Sequence, residues 1–301
     1  VEMMYKWLDI TAKEPAEAAV SVLGIPFDGG TTQEAGAAEA PARIREFAEL
    51  YMPCATDDWH VLSENLVYDF GDVNMSGSWE ESFARVEKQA LEVMKHGNFN
   101  LFIGGDHSVT IPLHKAFKKY EAGKKTGIIH FDAHPDLCDC YEGNIWSHAN
   151  TEKRALDDIV SPEDMLLLGI RAAEPEEVDI MTSGNGISVI SATDVFRRGY
   201  MDCWNEIYDK FRDYDSIYFT LDIDVLDPAF APGTGTPCSG GITSRELIEL
   251  VRYIVSELPV KHMDIVEVAP PLDINDITSW AAVRIIEEVF SIIDRRRDYD
   301  I

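Results

Sequence analysis

The sequence predicts an α/β fold with a mainly parallel sheet, on three observations. Short apolar runs recur along the whole chain, and amphipathic stretches of helix length separate them. Several of the runs are apolar throughout rather than alternating, as strands covered on both faces are. Strands that alternate with helices imply βαβ units and therefore a parallel sheet. The strand-like runs are AVSVLGIPF (19–27), NLVYDFGDV (65–73), NLFIGG (100–105), TGIIHFDAH (126–134), DMLLLGI (164–170), ISVISA (187–192), SIYFTLDID (216–224) and KHMDIVEVAP (261–270).

Three helices stand out between them. Over 81–96, Phe83, Val86, Ala90 and Val93 recur at helical spacing, and Gly97 marks a stop. Over 243–257, Thr243 and Glu246 form a capping-box signature ahead of Leu247, Leu250, Val251 and Ile254. Over 277–293, Ile277, Ala281, Ile285 and Val289 make one apolar stripe. The 301 residues hold no Pro/Gly/Ser-rich linker, repeat or low-complexity block, so a single domain over 1–301 is expected.

Composition narrows the function. With 26 basic and 54 acidic residues the net charge is -28, which excludes a nucleic-acid partner and suits a cationic small molecule. No apolar run approaches a membrane span, and the start of the chain, VEMMYKWLDITAKEPAE, shows no secretory signal. Five cysteines, Cys54, Cys138, Cys140, Cys203 and Cys238, are few and odd in number, which fits a reducing, cytoplasmic setting.

In an open parallel sheet the ligand site lies beyond the carboxyl ends of the strands, and the polar clusters of this chain fall there. In FDAHPD, an extended backbone would put Asp132, His134 and Asp136 on one side. In FTLDID, Asp222 and Asp224 would share a face in the same way. Asp227, before Pro228, reads as a turn residue. In FIGGDHS, two glycines admit close backbone approach, and Asp106 and His107 open the next helix. Together His107, Asp132, His134, Asp136, Asp222 and Asp224 offer four carboxylates and two imidazoles. That exceeds what one zinc takes and suits a pair of divalent ions, with oxygen-rich ligands favouring Mn²⁺. Cys138 and Cys140 are expected to line the pocket or be buried rather than bind metal, because soft thiolates favour other ions.

GGDHS (104–108), DAHPD (132–136) and LDIDVLDPAFAPGTGTPCSGG (221–241) resemble the signatures of the ureohydrolase superfamily, the arginase and agmatinase group. The resemblance runs from LGIPFDGG (23–30) to EVAPPLD (267–273), and the APGTGTP loop is more like agmatinases than arginases. It implies a three-layer α/β/α fold, arginase-like, with a mainly parallel sheet of about eight strands. It also implies two Mn²⁺ ions per subunit and a hydroxide between them that attacks a guanidinium carbon and releases urea. His107 and Asp136 match ligands of the first ion, His134 and Asp224 ligands of the second, and Asp132 and Asp222 bridging positions. Glu267 matches the carboxylate that holds the guanidinium, and His148 the histidine that shuttles protons. Asp136 is counted with these two as catalytic, and Glu174 is a candidate for the far end of the substrate. The resemblance further suggests a homo-oligomer, a trimer or hexamer.

Two stretches depart from the family pattern. QEAGAAEAP (33–41) lacks the basic residues of an R-P-G-A-R-F-G-P loop, with Glu34 in place of Arg, and WSHANTEKR (146–154) differs from H-G-T-x-F. Both are expected to touch the far end of the substrate. Lost positive charge there disfavours carboxylate-bearing guanidino compounds and favours a cationic tail, as in agmatine. Guanidinobutyrate, guanidinopropionate and arginine remain alternatives. The intact ligand positions speak against a non-catalytic binding subunit.

Overall fold

The computed structural model describes residues 6–51, 57 and 59–299; Cys54 and the first five residues of the N-terminal stretch lie outside them. All eight apolar runs form strands: β1 (Val20–Gly24), β2 (Val67–Asp72), β3 (Phe99–Ile103), β4 (Thr126–Phe131), β5 (Met165–Ile170), β6 (Ser188–Ser191), β7 (Ser216–Asp222) and β8 (Val260–Val266). They make one parallel sheet in the order β2-β1-β3-β8-β7-β4-β5-β6.

The helices among the described residues are α1 (Ala40–Tyr51), α2 (Trp79–Met94), α3 (Thr110–Tyr120), α4 (Thr151–Asp158), α5 (Pro175–Thr182), α6 (Ala192–Arg198), α7 (Tyr200–Phe211), α8 (Ser244–Glu257) and α9 (Ile277–Tyr299). The Thr243–Glu246 capping box forms as expected. α2 begins earlier than the apolar spacing suggests, because Ser78 and Glu81 make a second such box. Helices cover both faces, which gives three layers. On one face Ile44, Ile207, Leu250, Ile254, Ile286 and Phe290 of α1, α7, α8 and α9 pack on the sheet. On the other, Val86, Ala90, Leu113, Phe117 and Ala155 of α2, α3 and α4 do so.

Register sets the level at which the chain leaves the sheet. Ile103 lies opposite Ile265, Asp222 opposite Val266, and Phe131 opposite Leu221. The tips of β3, β8, β7 and β4, four neighbours in the sheet, therefore end side by side. Chain connections diverge here, because β7 leads back to β8 whereas its neighbour β4 leads on to β5. Such switch points form crevices in open α/β sheets. Gly105 lets the loop after β1 close over this edge: a Cβ there would lie 1.7 Å from the Phe27 carbonyl oxygen.

Candidate active site

The acids and histidines predicted from the strand ends do meet at this edge, but by turning rather than by strand alternation. β4 stops at Phe131, so Asp132, His134 and Asp136 lie in the loop beyond it. Asp136 adopts a left-handed φ of 53°, which swings its side chain back. β7 stops at Asp222, which caps the short helical turn Ile223–Val225, its Oδ1 accepting from the Asp224 amide at 2.7 Å. An alternating strand would need neither the cap nor the positive φ.

Around His107 three carboxylates converge. Its Nδ1 lies 3.0 Å from Asp132 Oδ2, 3.1 Å from Asp136 Oδ2 and 3.3 Å from Asp222 Oδ2. Its other nitrogen, Nε2, is 2.9 Å from Thr220 Oγ1, whose hydroxyl donates to Asp264 Oδ1 at 2.6 Å. Because that hydroxyl proton is committed to Asp264, Nε2–H is the donor there, and Nδ1 is the nitrogen turned to the three carboxylates. This is the orientation that a metal-ligating histidine needs from its outer partner.

A second group sits beside the first. His134 Nδ1 lies 3.3 Å from Asp132 Oδ1 and 3.1 Å from Asp224 Oδ2. Asp132 thus turns one oxygen to each group. Asp136 Oδ2 and Asp224 Oδ2 are buried and accept no hydrogen bond, although a misaligned imidazole nitrogen stands 3.1 Å from each. Buried carboxylate oxygens without donors are costly, and a cation relieves that cost. The residues present fit a metal centre on this count.

The charges are strongly perturbed. Burial works to lower the His107 pKa, but Asp132, Asp136 and Asp222 outweigh it and hold the imidazole well above its usual range. Burial works to raise that of Asp132, but His107, His130 and His134 hold it well below the carboxylate range. Asp222 goes the other way, raised by burial and by the like charges of Asp224 and Asp132. A divalent cation would take over the role that imidazole protons play here.

His130 is a further member of the site that strand-end patterning does not single out. It sits in β4, fully buried, and could stand with His107 and Asp132 as a ligand set. Both its nitrogens are occupied, however: Nδ1 faces Glu152 Oε1 at 3.1 Å, and Nε2 faces the His134 carbonyl at 3.0 Å. Both partners are acceptors, so both nitrogens carry protons. Its pKa, which burial alone would lower, is pushed up to about 10 by Asp132 and Glu152. A chargeable residue inside the apolar run TGIIHF was the signal.

Glu267 and His148 form the next layer. Glu267 follows β8 with a left-handed φ of 63°, a strained conformation of the kind found at functional sites. Its Oε1 accepts from the His107 amide at 2.8 Å and lies 2.9 Å from His148 Nδ1. His148 Nε2 faces Thr32, 2.8 Å from the hydroxyl and 3.3 Å from the amide. Thr32 can therefore accept a proton-bearing Nε2 through its hydroxyl or donate to a bare one through its amide. Burial pulls the His148 pKa down, but Glu267 more than offsets it and raises it to about 9. Asp106, buried behind them, accepts from the Gly30 amide at 2.6 Å and the Ser108 amide at 2.9 Å, and so fixes the β1 loop against the start of α3.

A cavity of about 490 Å³ opens above this floor. His107, His134, Asp136, Asp222 and His148 line its base, and Gln33, Cys138, Tyr141, Glu174 and Cys238 stand among its walls. Glu174 is exposed at the start of α5. Buried Glu177 accepts from the Leu137 amide at 2.7 Å and the Glu174 amide at 2.8 Å, so it staples the Asp136 loop to the cavity wall. Arg171 directs its donors to the carbonyls of Gly169, Asp224, Val225, Leu226 and Cys238 and so shapes the loop after β7. Asp227 holds the same loop by accepting from Ala229, Gly240 and Gly241 amides, the turn role expected of it.

The two atypical stretches reach the cavity less than expected. Of 33–41 only Gln33 lines it, and of 146–154 only His148 and Ala149. Thr151 and Glu152 point inward and are fully buried. Cys138 is buried in the wall, its thiol pKa raised by burial and by Glu177, whereas Cys140 is exposed, contrary to the expected lining or burial. The four cysteines among the described residues are all free. No helix among these residues is long and apolar enough to cross a membrane.

Comparison with known proteins gives a consistent result. Residues 18–291 match the model of the arginase family. An agmatinase of Bacillus subtilis is 37% identical over 279 residues, which cover 91% of each chain. A guanidinopropionase of Pseudomonas aeruginosa is 33% identical over 291 residues, covering 93% of this chain and 88% of its own. Among solved structures, the agmatine ureohydrolase of Thermoplasma volcanium superposes with a TM-score of 0.87 at 28% identity, over 100% of this chain and 98% of that one.

Proposed function

Because the chain belongs to the arginase family, we propose that it is a binuclear metal hydrolase that splits agmatine into putrescine and urea. The observation that carries the metal reading is Asp132, whose two oxygens face two separate imidazoles at 3.0 and 3.3 Å. His107, Asp136 and Asp222 would complete one ion position with it, and His134 and Asp224 the other. A pair of Mn²⁺ ions would supply Lewis acidity and an activated water at neutral pH.

The chain's own residues would do the rest. Glu267, pinned by the His107 amide and His148, offers its carboxylate to a planar guanidinium. His148 delivers a proton from Nε2 to the leaving amine, with Thr32 satisfying that nitrogen before and after. Among the described residues, the cavity walls include no lysine or arginine. Arg171, next in sequence to the wall residue Ala172, already hydrogen-bonds to backbone carbonyls. A carboxylate tail would therefore find no cationic partner, while an amine tail meets Glu174. The same reading brings two ions per subunit, a trimer or hexamer, and a cytoplasmic setting.

The test is urea release from agmatine, guanidinobutyrate, guanidinopropionate and arginine by Mn²⁺-loaded protein. Agmatine should give the highest kcat/KM. Turnover of a carboxylate-tailed compound with agmatine inert removes the substrate assignment and favours the activity of the guanidinopropionase relative.

A further inference from the structure

Glu152 stands on the first turn of α4, fully buried, below the floor of the site. A buried carboxylate needs a partner, and its Oε1 has one in His130 Nδ1 at 3.1 Å; its Oε2 accepts no hydrogen bond. From that ring the contacts lead straight into the candidate metal centre. His130 Nε2 lies 3.0 Å from the His134 carbonyl and 3.3 Å from Asp132 Oδ2. The ring also stacks on His107, centroids 5.1 Å apart and planes within 3°. The backbone of residue 152 reaches the centre independently, its amide donating to the Asp136 carbonyl at 3.0 Å.

We propose that Glu152 is a positioning residue for the metal centre, acting through His130. The inference rests on the metal-hydrolase reading above. The His130 ring has one rotational freedom that matters, about its Cβ–Cγ bond. Glu152 fixes it at Nδ1, which leaves Nε2 to hold the His134 backbone and the Asp132 oxygen that faces His107. Asp132 is the ligand shared between the two ion positions, so a few tenths of an ångström lost there would be felt at both. Oriented outer partners of ligands are worth about 10- to 100-fold in metal affinity or activity.

The experiment titrates metal-free protein with Mn²⁺ calorimetrically and records its thermal unfolding without metal. Glu152→Leu, which keeps side-chain bulk and deletes the acceptor, should weaken Mn²⁺ binding about 10- to 100-fold. Glu152→Gln keeps one acceptor oxygen and should lose less. In a His130→Asn background Glu152→Leu should add under about twofold, since the route through the ring is already gone. Glu152→Leu that lowers the unfolding temperature while leaving Mn²⁺ affinity unchanged overturns the proposal, as does a full additive effect without His130. If Glu152→Leu does not fold, Glu152→Gln against His130→Asn decides on the same criteria. A wild type that binds no Mn²⁺ sinks the metal reading and this inference together. One that binds it but cleaves no guanidino compound sinks only the proposed activity, because the comparison of affinities stands.

Discussion

The floor of the cavity and its mouth are built on different terms. On the floor each group is fixed from several elements at once. His107 is held through the Glu267 carboxylate after β8, through Thr220 in β7 and, at its carbonyl, by the Thr151 hydroxyl of α4. At the mouth Glu174 is exposed, and Gln33 and Ala173 beside it are exposed too. A floor residue cannot change without leaving a buried charge or donor unpaired, which costs several kcal/mol. A mouth residue changes at almost no cost to the fold. On the proposed function, reaction type would be written where the fold is most constrained, and substrate choice where it is least.

The largest effect should come from the floor. Asp132→Asn keeps the shape, removes the charge and places an amide where an imidazole group is faced on each side. Urea release from agmatine should fall more than about a thousandfold, equivalent to roughly 4 kcal/mol of transition-state stabilisation. Bound manganese per subunit, measured by elemental analysis, should fall with it. Near-normal turnover would break the division of the floor into two ion positions joined by Asp132.

His148 lies between the two regions, and its loss should cost about 10²- to 10⁴-fold in kcat, the range for general acid catalysis. Glu267 raises its pKa to about 9, so the proton is present below that value and lost above it. For a proton donor, kcat/KM should fall as pH rises through about 9, and His148→Asn should abolish that limb. Stability has the same sign. The folded value is raised above the usual imidazole range, so the contribution of His148 is complete below about 6.5 and disappears as pH rises through about 9. An unchanged alkaline limb in His148→Asn would assign the proton to another group.

How much of this was legible in sequence follows the same division. Eight strand runs and the polar residues at their tips could be read because burial on both faces enforces an unbroken apolar pattern, and polar groups can begin only where it ends. The way those tips converge could not. Asp136 reaches its neighbours through a positive φ, and Asp222 does so by capping a helical turn, neither of which strand periodicity describes. The supporting layer was hidden for another reason. His130 pairs with Glu152 22 positions away and Asp264 with Thr220 44 positions away, and such pairs appear only when the chain is folded. His130 and Asp264 show only as polar residues inside apolar runs, TGIIHF and KHMDIV, and Glu152 carries no such sign. The stretch at 146–154 misled in the opposite sense: it departs from the family pattern at the mouth's edge, yet its Glu152 serves the floor.

The smallest effect, and the sharpest test of the mouth, is expected at Glu174. Its carboxylate stands exposed at the rim of the cavity, where water screens any contact with a substrate amine. Exposed ion pairs are worth about 0–1 kcal/mol, so Glu174→Gln should raise KM for agmatine by at most about fivefold. The floor is tied to this position through its backbone, because the Glu177 carboxylate binds the amide of residue 174. The kcat at saturating agmatine should therefore hold, and the KM effect should shrink as salt is added. Glu174→Lys should go further and bring guanidinobutyrate turnover closer to that of agmatine, since it supplies the cation that the walls lack. A fall in kcat with KM unchanged would place Glu174 in the chemistry instead, and would remove the separation between mouth and floor on which this ordering of effects depends.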